Sequence, residues 1–134
     1  MENRFLNETA LKELIRKKAA DPTADAQDDL KEIQDAVDEC LNYVNTVVTN
    51  EAELMIRDSA LQGQDYRDRV SQYDRERHGK HEAAIIGVKI INRIASRCGM
   101  EPVFTGDDAQ RHQVADFCLE LEQYLFRNRR MKLS

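Results

Sequence analysis

From Leu30 to Leu54 apolar residues recur at alternating steps of three and four: Leu30, Ile33, Val37, Cys40, Val44, Val47 and, past a gap at Glu51, Leu54. At 3.6 residues per turn an α-helix brings such positions onto one line, whereas a strand needs a period of two. The spacing predicts a helix over about 26–61, which if unbroken is about 50 Å long at 1.5 Å per residue. Leu41, Val48 and Met55 widen the stripe beyond a single seam. The run Val44 to Asn50, rich in β-branched residues and with two Asn, is the place where a kink would cost least. The spacing nevertheless predicts continuity.

The same arithmetic sets out the rest of the chain. A short helix over 8–20 carries Leu11, Leu14 and Ile15 on one stripe, with Asn7 as its cap. Residues 20–25 form a linker in which Pro22 ends one helix and Thr23 or Asp25 caps the next. Gly63 suits the left-handed position of a turn at Gln62–Asp65. A helix over about 65–97 follows, with Tyr66, Val70, Tyr73, Arg77, Ala84, Val88, Ile91, Ala95 and Cys98 along its seam. Gly79 weakens it by up to about 1 kcal/mol relative to Ala, while Gly87 falls on the apolar half, where a missing side chain admits a second helix. Gly99 ends the helix, and Val103 and Phe104 are expected to tuck into the core. The last helix, over about 107–130, begins at a capping box from Thr105 to Asp108 and turns Val114, Phe117, Cys118, Leu121, Tyr124 and Leu125 inward.

The chain has 134 residues, 41% of them hydrophobic and 34% charged, with only 5 Gly and 2 Pro. That is enough to bury a core and too few turn formers for an all-β fold. The expected fold is a single all-α domain over 1–134, an antiparallel helical bundle of three long helices plus one short N-terminal helix. The surplus apolar surface of the long hairpin predicts a homodimer.

A formal net charge of −5 gives no global attraction to phosphate backbones or anionic lipid. No apolar run reaches the roughly 18 residues of a membrane span. The start, Met1 to Arg4, lacks the apolar stretch of a secretory leader. Cys40, Cys98 and Cys118 are an odd set without CxxC spacing, so free, buried thiols in a reducing, cytoplasmic setting are expected and a zinc knuckle is not.

Chemistry concentrates in Tyr73 to Glu82, which holds two of the three histidines within a run of charged residues. With the hairpin turn centred near Gly63, Glu51 falls opposite Arg77, and Asp58 falls near Arg69 or Val70. Glu51 and Asp58 sit where the seam calls for apolar residues, and Arg77 interrupts the facing seam. Tyr124 of the last helix is expected near His81. Glu51, Arg77, His81 and Tyr124 therefore form one polar layer inside the bundle, and together with Asp58 they make up the candidate ligand site. Such a layer is either a salt bridge that sets helix register or a pocket in which carboxylate, guanidinium and imidazole converge on a ligand. Asp74, His78 and Glu82, at i, i+4 and i+8, share a helix face and are the candidate metal set. HExxH and ExxH are absent, and a solvated charged face has the same pattern. Asn92 is either the polar edge of its helix or an amide bridging to the loop at Phe104. His112 and Asp116 read as a surface pair. The basic end, Arg127 to Lys132, suits a nucleic-acid arm and equally the compensation of a helix dipole. No phosphate-binding or nucleophile-elbow motif occurs.

The second half of the chain resembles a small family of bacterial all-helical domains of unknown function. The resemblance lies in Tyr73-Asp74, Arg77-His78, His81-Glu82, Asn92, the loop with Phe104 and Gly106-Asp107, and Arg111 to Phe117. It implies a bacterial cytosolic origin and supplies no catalytic residues or cofactor.

The resulting expectation is a non-catalytic, self-associating interaction module, with an unidentified protein as a further partner. Two alternatives stand beside it. One is a ligand- or metal-binding protein, enzymatic or not, with a polar site between the second and third helices. The other is a nucleic-acid accessory protein using the basic tail, although the acidity of the chain points away from nucleic acid. No strong motif implies a cofactor.

Overall fold

The computed structural model describes residues 5–106 and 110–133, the second stretch by its backbone alone at 110–112 and 129–133. The described chain is all-helical: α1 (Glu8–Ala20), α2 (Ala24–Ala52), a π-helical turn (Glu53–Arg57), α3 (Gly63–Arg97) and α4 (Gln110–Leu133). None of these helices is long and apolar enough to cross a membrane.

Local chemistry accounts for most helix ends. The Asn7 side chain accepts from the Ala10 amide and the Thr23 hydroxyl from the Ala26 amide, each using an orphan donor of a first turn. Gly99 closes α3 at a φ of 70°. Gly63 also has a positive φ, of 59°, yet it opens α3 rather than closing the preceding helix. The expected capping box at Thr105–Asp108 falls partly outside the described residues.

The α-helix expected over 26–61 ends at Ala52. It passes unbroken through Val44–Asn50 and then widens, with the Asp58 amide donating to the Glu53 carbonyl, five residues back, at 2.7 Å. A π-turn takes up more residues per turn than an α-turn and so rotates the stripe. Beyond it Asp58 points inward, 8% exposed, while Met55 and Ile56 are left 78% and 77% exposed.

Contacts between α2 and α3 run in opposite directions along the chain: Asp29 with Arg97, Ala36 with Gly87, Tyr43 with His81. Gly87 permits a close approach, because a Cβ there would lie 3.0 Å from the Ala36 carbonyl oxygen. Leu11, Leu14, Ile33, Ile91, Ile94, Phe117 and Leu121 form the dry centre. Phe117 meets Phe5 edge-on at 5.2 Å and Phe104 at 5.5 Å. Cys40 and Cys118 are buried together, and all three cysteines are free. A hydrogen bond with Cys40, followed by burial, pushes the Cys118 thiol up and holds it protonated.

Two long-range ties complete the frame. Phe5–Asn7 lies beside Val103–Thr105 as an antiparallel bridge, with Asn7 N donating to Val103 O and Thr105 N to Phe5 O, both at 2.7 Å. The Glu120 carboxylate on α4 accepts from the Phe5 and Leu6 amides at 2.9 and 3.2 Å. Asn92 is the bridging amide. Its Nδ2 donates to Phe104 O at 2.8 Å, and its Oδ1 accepts from the Val103 and Phe104 amides at 3.0 and 2.9 Å. The loop expected to tuck in is thus held by the Asn92 side chain on one side and by the Phe5–Asn7 backbone on the other, with Val103 and Phe104 buried.

Candidate functional site

The expected polar layer is not sealed inside the bundle, and Asp58 belongs to a separate cluster. Glu51 and Arg77 do lie at one height, where they line a cleft of about 60 Å³ with Asn50, Leu54, Val70 and Tyr73. Both side chains are exposed, however, and no ion pair joins them. Arg77 instead reaches Asp74, one turn back on its own helix, at 3.1 Å. Both charges stay in water, which avoids the desolvation cost of a buried pair.

His81 is half-buried and stands edge-on to the Tyr43 ring at 5.3 Å. Tyr43 on α2 is thus an aromatic neighbour of His81. Tyr124 packs against the core, and the charges acting on its hydroxyl are those of Glu8 and Arg127. Burial raises its pKa first, and Glu8 adds to that. The aromatic count alone could not separate the two tyrosines, because the choice depends on which helix crosses α3 at this height.

Asp58 does come together with other groups. Its Oδ2 lies 2.6 Å from the Tyr73 hydroxyl, which is also 2.7 Å from Glu53 Oε2. The Arg69 Nε lies 3.9 Å from Asp58 Oδ2, the neighbour expected from the hairpin register. Arg57 pairs with Glu53 at 3.1 Å. One phenol proton thus sits between two carboxylates, and the ring carrying it is buried. Hydrogen bonding to Asp58, and next to Glu53, pushes the Tyr73 pKa up to about 12. Catalytic acids and bases at neutral pH need a pKa nearer 7, so this phenol is shifted away from proton transfer and toward holding. The cluster clasps the π-turn onto α3. Tyr73 was legible as a seam residue whose hydroxyl needs a partner. Glu53 was not, because only the π-turn aims it there.

The candidate metal set does not gather. Asp74 pairs with Arg77, His78 is exposed, and the Glu82 carboxylate lies 3.9 Å from His81 Nδ1. Asp74 and Glu82 are eight residues apart, about 12 Å along the axis, too far to share one ion. Among the described residues no three His, Cys, Asp or Glu side chains converge. The side chain of His112 lies outside the described residues, and Asp116 is exposed. In the basic end, Arg127 reaches back to Glu8 on α1; the side chains from 129 onward lie outside the described part of the chain.

A polar groove of about 350 Å³ adjoins the cleft, lined by Asn42, Asn45, Thr46, Thr49, Asn50, Glu76 and Lys80. Among the described residues the buried Asn50 Nδ2 has no hydrogen-bond partner. In the sequence these Asn and Thr residues stand out only as poor helix formers.

A sequence model described as a protein of unknown function, DUF3232, matches residues 5–131. The resemblance carried by the second half therefore extends over nearly the whole chain. No curated protein and no solved structure matches.

Proposed function

This chain belongs to the DUF3232 family of proteins of unknown function, and from that premise we propose that it is a non-catalytic helical module that self-associates. Its frame is an antiparallel bundle of three long helices with α1 packed against them. One observation carries the reading. Val48, Met55 and Ile56, at the end of α2 and in the π-turn, are 60%, 78% and 77% exposed. Single exposed apolar residues are ordinary, but three within nine residues of one another favour covering. Burying each side chain contributes about 1.5–3 kcal/mol, enough to seed a dimer interface. Val48 and Met55 are also the residues by which the apolar stripe exceeds a single seam. The three free thiols suit a reducing, cytoplasmic setting.

Light scattering over a concentration series tests the proposal. The expected result is a dimer that Met55→Glu and Ile56→Glu convert to monomer without loss of helix. A strict monomer, or a dimer indifferent to both changes, refutes it.

A second reading, a ligand-binding protein, is favoured by the polar groove and the unpartnered Asn50 amide. A specific ligand at 100 times its Kd stabilises by about 2.7 kcal/mol. Thermal melting against small polar ligands and against Zn, Mn, Mg and Ni should then show a raised midpoint, removed by Asn45→Ala and Thr49→Ala. An unchanged midpoint throughout counts against this reading.

A further inference from the structure

We propose that the open groove between α2 and α3 at Ala36 and Gly87 is a docking site for a basic amphipathic helix supplied by another protein. This surface is separate from the exposed apolar residues Val48, Met55 and Ile56, so neither proposal depends on the other.

The groove has a volume of about 230 Å³. Its lining positions on α2 are Glu32, Asp35, Ala36 and Glu39, and on α3 Ala83, Ile86, Gly87 and Ile90, each set at steps of three and four. Two rows at that spacing run alongside each other for about 10 Å, two helical turns. A trough of this form matches the ridge of a third helix. The floor is shallow in side chain and close in backbone, since Gly87 has no Cβ and touches Ala36. Ile86 stands on the α3 wall with 57% of its surface exposed.

Charge selects the occupant. α2 carries eight carboxylates against one cation, Lys31, whereas α3 carries eight cations against five carboxylates. On the α2 wall Glu32, Asp35 and Glu39 have no ion-pair partner among the described residues; Asp29, one turn earlier, already holds Lys18 and Arg97. Arg93 closes one end of the groove, also without an ion-pair partner among the described residues. An occupant with an apolar stripe, a row of Lys or Arg facing α2 and an acidic residue near Arg93 would neutralise all four charges. Complementarity of this kind sets orientation and on-rate, and apolar contact with Ile86 and Ile90 supplies the hold.

The test uses the full chain and a fluorescein-labelled synthetic peptide of about five helical turns, with a Leu/Ala stripe and Lys along one flank. Controls carry Glu in place of Lys, or the same residues in scrambled order. Anisotropy should show binding of the Lys peptide that weakens with salt. The triple change Glu32→Lys, Asp35→Lys and Glu39→Lys should weaken it at least about tenfold, as should Ile86→Asp alone. Glu32, Asp35 and Ile86 are exposed and Glu39 is half-buried, and circular dichroism checks that the variants fold. Amide shifts on peptide addition should centre on 32–39 and 83–90. Absence of binding, equal binding of the Glu peptide, indifference to the variants, or shifts centred elsewhere overturns the proposal. So does a native dimer that Ile86→Asp turns to monomer, because a second copy would then be the occupant.

Discussion

Asn92→Ala should be among the most destabilising single changes to a side chain outside the apolar core. The Asn92 amide makes three hydrogen bonds to the backbone of Val103 and Phe104, at 2.8, 3.0 and 2.9 Å. Alanine removes all three partners at once. The two loop residues are 0% and 1% exposed, so the loop cannot turn its amides to water without withdrawing both side chains from the core. An orphaned buried backbone group costs about 1–3 kcal/mol. The bonds are only part-buried, and a water can enter the vacated side, so the lower end applies to each. The total is about 2–4 kcal/mol. Asn92→Asp is the informative control. Its carboxylate still accepts from both amides but now faces the Phe104 carbonyl with an oxygen, so its cost should fall between wild type and alanine. Urea denaturation with an unchanged slope measures the loss. Hydrogen exchange should show the Val103 and Phe104 amides opening faster than the core of α3. If Asn92→Ala stays within about 0.5 kcal/mol of wild type, the ordinary range of a surface change, the bridge does not hold the loop and the reasoning fails.

Further expectations follow from neighbouring features. A Cβ placed on Gly79 would meet nothing within 4 Å, so Gly79→Ala should stabilise by about 0.5–1 kcal/mol through helix propensity; Gly87→Val should instead destabilise by at least about 1–3 kcal/mol against the Ala36 carbonyl, and chemical denaturation that gives both the same sign would contradict the packing. Hydrogen bonding from Lys18 holds the Asp29 carboxyl below its ordinary value, so its contribution is present above the unfolded pKa of about 3.9 and is lost as pH falls through the lower folded value. Asp29→Asn should therefore flatten the acid side of a plot of thermal midpoint against pH, and an unchanged slope would refute it. Lys18, raised chiefly by the same hydrogen bond, contributes below its unfolded pKa of about 10.4 and loses that contribution as pH rises through the folded value. Tyr73→Phe should speed hydrogen exchange at Asp58 and Leu61, whose amides bond within the clasped turn, while leaving Ile91 and Ile94 protected; equal acceleration everywhere would make Tyr73 a general core residue.

Helix identity was a local matter and was therefore readable from the chain. The steps of three and four through Ile33, Cys40 and Val44, the caps at Asn7 and Thr23, and the left-handed Gly99 each depend on residues within a turn or two. The close approach at Gly87 was legible for a similar reason, because a missing side chain on an apolar face has few uses. The height of Glu51 opposite Arg77, and the nearness of Asp58 to Arg69, followed from counting outward from Gly63. What counting could not supply was which way those groups face. The π-turn at Glu53–Arg57 leaves Asp58 in and Met55 out, and the hydroxyl of Tyr73, fifteen residues beyond Asp58, bonds to it there. Likewise the two uses of Asn92, the choice of Tyr43 beside His81, and Glu120 reaching the Phe5 amide all join residues far apart in sequence. Periodicity carries no record of such partners; only the packed chain brings them within hydrogen-bonding distance.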